Sequence, residues 1–369
     1  MPARFPVLLV LALAGCAPRY RPPADTLTSP DAFNYYVRVA TTRADRFEVT
    51  LAAERVNRDS LDFIFPAWIP GRYHPGPGRA RPENFTARDG RGRPIAVRRL
   101  SGSAWRLYPP DGADYVAVTY HIIPEASDEP LAFRPQLGIH GGFAPGGALF
   151  GYLLGFEERP VTVSFDLPAG WRVAAPLRPG GANRFAAASY ATLPGTPIVV
   201  GDRMRDYKLF VQGRPHQITV SGADAGFAPD SLLRLISETI DHGARFYGRP
   251  TYERYLFAVH FVPPDADGIG AMGQTAGSAF FLPVLSGDRL REGGIGGLLL
   301  HQYLHAWYPG SFGPVALRRP DFFAPPVLQD EWLIEGAAEY YARLLPVRTG
   351  GVGRHAFYET MGELLTLWR

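Results

Sequence analysis

From Asp31 to about residue 205 the chain is written in short apolar-polar alternations, each closed by glycine and proline. Alternation with period two puts successive side chains on opposite faces of a strand, so such runs bury one face of a sheet. Tyr35-Tyr36-Val37-Arg38-Val39 is one run, and Phe47, Val49 and Leu51 mark the inward face of a second. Tyr115 to Tyr120 and Val161 to Phe165 continue the series, with Pro109-Pro110-Asp111-Gly112 and Pro168-Ala169-Gly170 as turns between strands. The 41 glycines and 36 prolines suit a turn-rich β protein better than a helical bundle. An antiparallel β-sandwich over residues 31–210 is the expectation.

The period then changes. Leu232, Leu233, Ile236 and Ile240 recur at helical spacing after Pro229-Asp230, a helix start. Tyr255 to Val262 and Ser278 to Leu282 read as strands, and helices follow at about 298–307 and 331–345. Residues 211–369 therefore read as a second, mixed domain, and the chain as α+β. The formal charge is only +3, with arginines interleaved among acids rather than gathered in a stripe. That pattern excludes nucleic acid as a partner. There is neither an internal repeat nor a second apolar stretch long enough to span a membrane.

The first thirty residues carry a different message. Arg4 precedes the apolar run Val7 to Ala14, which is too short for a stable transmembrane helix. It ends in Leu13-Ala14-Gly15-Cys16, which resembles a bacterial lipobox. Residues 1–15 are then expected to be a lipoprotein signal peptide, with Cys16 acylated as the first mature residue. The alternative is a secretory signal with a coincidental cysteine. Residues 16–30 hold a proline-rich tether, and Ala17 in place of aspartate points to the outer membrane, facing the periplasm. With one cysteine, no internal disulfide can form.

His301 and His305 lie four apart, so a helix places both imidazoles on one face, where they can grip one zinc ion. A pair of surface or packed histidines is the competing reading. A catalytic zinc also needs a third protein ligand and an open position for water. Thirty residues after His305 comes Glu335, within Asp330-Glu331-Trp332-Leu333-Ile334-Glu335-Gly336-Ala337-Ala338-Glu339-Tyr340-Tyr341. Here the chain resembles the glycyl aminopeptidase family, gluzincins related to aminopeptidase N that usually carry a PDZ domain. That family pairs a His-Glu-x-x-His helix and a following tryptophan with a later Trp-x-x-Glu-Gly helix. Trp307 and Trp332 occupy the two tryptophan positions. Trp68-Ile69-Pro70-Gly71-Arg72-Tyr73 resembles the family's Trp-x-Pro-Gly-x-Tyr signature. Pro160 to Val163, Pro168 to Trp171, Tyr190 to Gly201 and Val347 to Gly350 match further stretches. The resemblance implies a partial thermolysin-like domain after the β-sandwich. It also implies zinc held by His301, His305 and Glu335, and a peptide or protein as substrate or ligand.

Three departures from the family pattern bear on activity. Gln302 stands where the family has its general-base glutamate. A glutamine can hydrogen-bond a zinc-bound water but cannot take its proton. The family's Gly-Leu-Glu-His stretch, which binds the substrate's amino end, aligns with Ala271-Met272-Gly273-Gln274, so Met272, Gly273 and Gln274 are the candidate substrate contacts. The sequence stops at Arg369, which leads us to expect a chain without the helical and PDZ domains. The leading reading is a lipid-anchored, zinc-binding metallopeptidase relative with weak or no hydrolysis. An active metallo-aminopeptidase and a non-catalytic envelope module that binds peptides or proteins are the alternatives.

Other polar residues read blandly. Glu331 and Glu339 are expected as solvated helix residues, and the seven remaining histidines as surface or hydrogen-bonded groups. Gly293 to Gly297 lacks a following Lys-Ser or Lys-Thr and reads as a flexible approach to the histidine helix, not a phosphate loop.

Overall fold

The structure, a computed structural model, describes residues 31–40, 45–73, 82–125, 130–223, 227–248, 250, 252–261, 272–273, 279–284, 294–309, 313–318 and 320–367. The expected leader and tether with Cys16, together with His74, Ala271, Gln274 and Gly293, lie outside the described residues.

The alternating runs become strands of a seven-stranded sheet. Its order is Arg178–Gly181, Arg184–Ala187, Val161–Asp166, Phe33–Val39, Phe47–Glu54, Tyr115–Ile122 and Glu83–Asp89. Register sets inward residues opposite one another, Val49 against Tyr120 and Leu51 against Val118. One pairing departs from the antiparallel expectation, because Phe33–Val39 runs parallel to Val161–Asp166. The long intervening segment permits that crossover, which a short hairpin could not make. Two four-stranded sheets complete the N-terminal part: one holds Leu61–Ile64 and Ala104–Tyr108, the other Gly141–Pro145 and Pro197–Gly201. Between the layers Phe63, Phe65, Phe85, Trp105 and Tyr120 pack ring on ring. The hydroxyls of Tyr35, Tyr120 and Tyr190 donate to the carbonyls of Gly151, Leu149 and Phe150, so these buried phenols leave no polar atom unsatisfied.

Met204–Val211 joins the second sheet system, pairing with Arg214–Ser221 in a five-stranded sheet that also contains Tyr255–Phe261, Ala279–Val284 and Met272–Gly273. The described helices are α1 (Gly146–Leu149), α2 (Asp230–Tyr247), α3 (Gly294–Leu304), α4 (Val315–Arg318), α5 (Glu331–Arg348) and α6 (Arg354–Leu367). Leu232, Ile236 and Ile240 on α2 meet Ile218, Val220, Phe257 and Val259 from the sheet and Leu299 and Tyr303 from α3 in one apolar cluster. At Gly243 α2 lies close against a side chain of α3: a Cβ there would stand 2.8 Å from the Tyr303 ring. The glycine run, expected as an approach to the histidine helix with glycine tolerated at a weak helix start, forms the start of α3 from Gly294. Burial of Leu299 and Leu300 supplies the helix stability that the glycines lack.

Candidate metal centre

α3 sits between α2 and α5. Leu300 and Leu304 on α3 pack with Ala338, Ala342 and Leu345 on α5. The alanines keep that contact thin, and the face of α5 one turn nearer its start then carries Glu335 to the histidines. His301 Nε2 lies 3.2 Å from Glu335 Oε2 and 3.2 Å from His305 Nε2, and His305 Nε2 is 3.6 Å from Glu335 Oε2. His305 is buried, while His301 and Glu335 are partly exposed. Among the described residues, these three form the one group of His, Cys, Asp or Glu side chains able to hold a metal ion.

The donor set fits such an ion. Tetrahedral ligands at about 2.0–2.1 Å from zinc stand roughly 3.3–3.4 Å from one another, and the observed 3.2, 3.2 and 3.6 Å bracket that spacing. The other nitrogen of each ring is already engaged. His301 Nδ1 is 2.9 Å from Glu339 Oε2, and His305 Nδ1 is 3.0 Å from the Tyr308 carbonyl. Acceptors at both Nδ1 atoms favour a proton there, which with a metal bound would leave both Nε2 lone pairs free to ligate it beside Glu335.

Without a metal the cluster is strongly polarised. Burial opposes charge on His301, but its hydrogen bonds to Glu335 and Glu339 prevail and raise its pKa to about 9. Burial likewise opposes charge on Glu335, and the histidine contacts override it, lowering its pKa to about 2. Glu339 is lowered by its hydrogen bond to His301 and by Arg343, with which it forms an ion pair one turn along α5. Glu339 is partly exposed, as a solvated acid would be, but it is also held by His301 and Arg343, partners not expected from sequence. Its position four after Glu335 was the available signal, since that spacing shares a helix face.

Gln302 is partly exposed on α3, beside His301. Trp307 is buried and stacks on Tyr247 at 5.5 Å, whereas Trp332 is 73% exposed. The backbone of Met272–Gly273 pairs at the sheet edge with Phe280 and Phe281 and comes within 8 Å of α3. Glu331 begins α5, one turn before Glu335. From the N-terminal part, Tyr73 is buried near these acids: burial, then the Glu335 charge, pushes its phenol well above the usual range.

A β-rich N-terminal part is thus followed by an α+β part that carries this two-helix cluster. The family model for the peptidase M61 N-terminal domain matches residues 34–202, and that for the M61 glycyl aminopeptidase matches residues 295–368. Together they span more than half of the chain, and the chain belongs to the M61 glycyl aminopeptidase family. Among solved structures, an aminopeptidase N family protein from Idiomarina loihiensis is similar in fold, at 19% identity and a TM-score of 0.76. The match covers 88% of this chain and 56% of that one, so this chain spans little more than half of that relative's length. An M1 zinc metallopeptidase from Deinococcus radiodurans matches more loosely, at 16% identity and a TM-score of 0.48, over 90% of this chain and 74% of its own. No curated protein matches.

Proposed function

We propose that this protein is a zinc-binding member of the family, held at the outer membrane through acylated Cys16 and facing the periplasm, with weak or no peptide hydrolysis. The observation that carries the metal reading is the mutual spacing of His301 Nε2, His305 Nε2 and Glu335 Oε2, at 3.2, 3.2 and 3.6 Å. Zinc bound there would supply Lewis acidity and a water of lowered pKa. The remaining chemistry falls to the chain. Glu339 and the Tyr308 carbonyl orient the two imidazoles. Gln302 can hold a water by hydrogen bond, but its amide has no basic site to accept a proton or return it to a leaving amine. Loss of such a base costs roughly 100- to 10,000-fold in rate. Gly273 and Gln274, in place of the family's carboxylate and imidazole, remove anchors for a substrate's amino end. A peptide or protein therefore serves as a bound ligand or a slow substrate.

Zinc content and hydrolysis of aminoacyl amides, measured on the wild type, Gln302→Glu and His301→Ala, test this reading. Gln302→Glu should keep the metal and raise hydrolysis, and His301→Ala should lose the metal. A wild type with no zinc at saturation would sink the metal assignment. Robust wild-type turnover that disappears in His301→Ala would establish an active metallo-aminopeptidase instead.

A further inference from the structure

Glu335 lies near the start of α5, and that turn has little of its own to hold it. Trp332 is 73% and Leu333 39% exposed, leaving Ile334 as the buried anchor of the turn. Ile334, although it lies on a helix, is 1% exposed. It belongs to the core of the N-terminal β domain, as does Phe322, twelve residues earlier in the segment leading into α5. Phe322 is 2% exposed, with its ring stacked on Trp68 at 5.2 Å and set edge-on to Tyr190 at 5.7 Å. Two hydrogen bonds pin the same point: Ala67 N–H donates to the Phe322 carbonyl at 2.8 Å, and Trp68 Nε1–H donates to the Asp321 carbonyl at 2.7 Å. Tyr308, whose carbonyl orients His305, also packs against this core, as do Leu317 and Leu328.

α5 is thus held at two places by two different bodies. Its later turns, with Ala338, Ala342 and Leu345, are fastened to α3. Its first turn is fastened to the β domain through Ile334 and the Phe322 strap. Glu335 sits between the two attachments. A side chain there is placed to a fraction of an ångström only if both hold, and metal affinity is sensitive to that placement.

We propose that Trp68 and Phe322 are positioning residues of the metal centre, through which the β domain holds Glu335 in register with His301 and His305. The proposal rests on the metal reading above, and it assigns a purpose to the first residue of the Trp68-to-Tyr73 signature. Neither residue is itself a donor. They act by keeping the first turn of α5 from rocking away from α3.

The test uses the full chain in three variants. Trp68→Phe keeps a ring and deletes one hydrogen bond, Phe322→Ala removes the strap's anchor, and Phe47→Leu trims the same core within the seven-stranded sheet. Amide hydrogen exchange along α5 in the metal-free protein is one measurement, and zinc affinity by chelator competition is the other. Exchange at residues 333–338 should quicken about fivefold in Trp68→Phe and more in Phe322→Ala, relative to residues 340–348, the scale of one lost hydrogen bond. Zinc affinity should fall about tenfold in both. Phe47→Leu should change neither the exchange ratio nor the affinity. Native affinity and an unchanged exchange ratio in Phe322→Ala would overturn the proposal. If the wild type binds no zinc, the metal reading falls by itself, and the exchange ratio still decides whether the β domain holds Glu335.

Discussion

His301 Nδ1 lies 2.9 Å from a carboxylate oxygen of Glu339, a residue one helical turn beyond Glu335 on α5. One face of one helix thus supplies both a donor for the metal and the acceptor that aims a neighbouring donor. Arg343, a further turn along, holds the second oxygen of Glu339. Glu339→Gln would keep the shape but remove the charge that favours the Nδ1 proton. Zinc affinity should weaken about tenfold or more, the usual effect of disturbing a metal ligand's own partner. Chelator competition reads this directly, and unchanged affinity would show that Glu339 does not orient His301.

Gly243 on α2 packs closely against aromatic rings at and beyond the end of the histidine helix. A Cβ at that position would lie 2.8 Å from one Tyr303 ring atom and 3.2 Å from the Trp307 ring. The usual gain in helix propensity from Gly to Ala should be reversed here, because both rings are buried and have nowhere to move. Gly243→Ala should destabilise the fold by about 1–3 kcal/mol. Urea denaturation of the two proteins checks it, and a more stable variant would show that α2 and α3 can part without cost.

His216 titrates where the metal cluster does not interfere. Burial lowers its pKa from 6.5 to about 4, and its Nε2 meets the Tyr252 hydroxyl at 2.8 Å. That hydroxyl in turn bonds Tyr303 on α3. The folded protein refuses a proton that the unfolded chain accepts, so stability is lost as pH falls below about 6.5 and levels off near 4. The loss attributable to this residue amounts to about 3 kcal/mol at most. Stability curves between pH 7 and 4 should be flatter for His216→Gln than for the wild type, and parallel curves would refute the assignment.

The N-terminal expectation is tested in cells. Cys16→Ser should leave the precursor unprocessed or release the protein from membranes, since acyl chains on that residue are the proposed anchor. Native protein that keeps residues 1–15 and stays in the soluble fraction would end the lipoprotein reading.

The strands and helices were legible because their signal is local. Phe47, Val49 and Leu51 face one way whatever the rest of the chain does, and Leu232, Ile236 and Ile240 share a helix face for the same reason. The histidine pair was legible on the same ground, since four residues on a helix bring two rings together before any tertiary contact exists. Glu335 was reached through family resemblance rather than through spacing. What periodicity could not supply was partnership across distance. Glu339 looked like a solvated acid until α3 was laid beside α5, 38 positions apart in sequence. The Tyr308 carbonyl carries no side-chain signal at all. Trp68 and Asp321 meet across 253 residues, and the chain closes that loop only because Phe322 and Ile334 find burial in a core built by the other domain. The sequence by itself determined which faces are apolar and which residues could serve as ligands. Only the tertiary structure decided which ligands converge and what holds them there, because those contacts depend on how separate faces pack and not on the order of residues within any one of them.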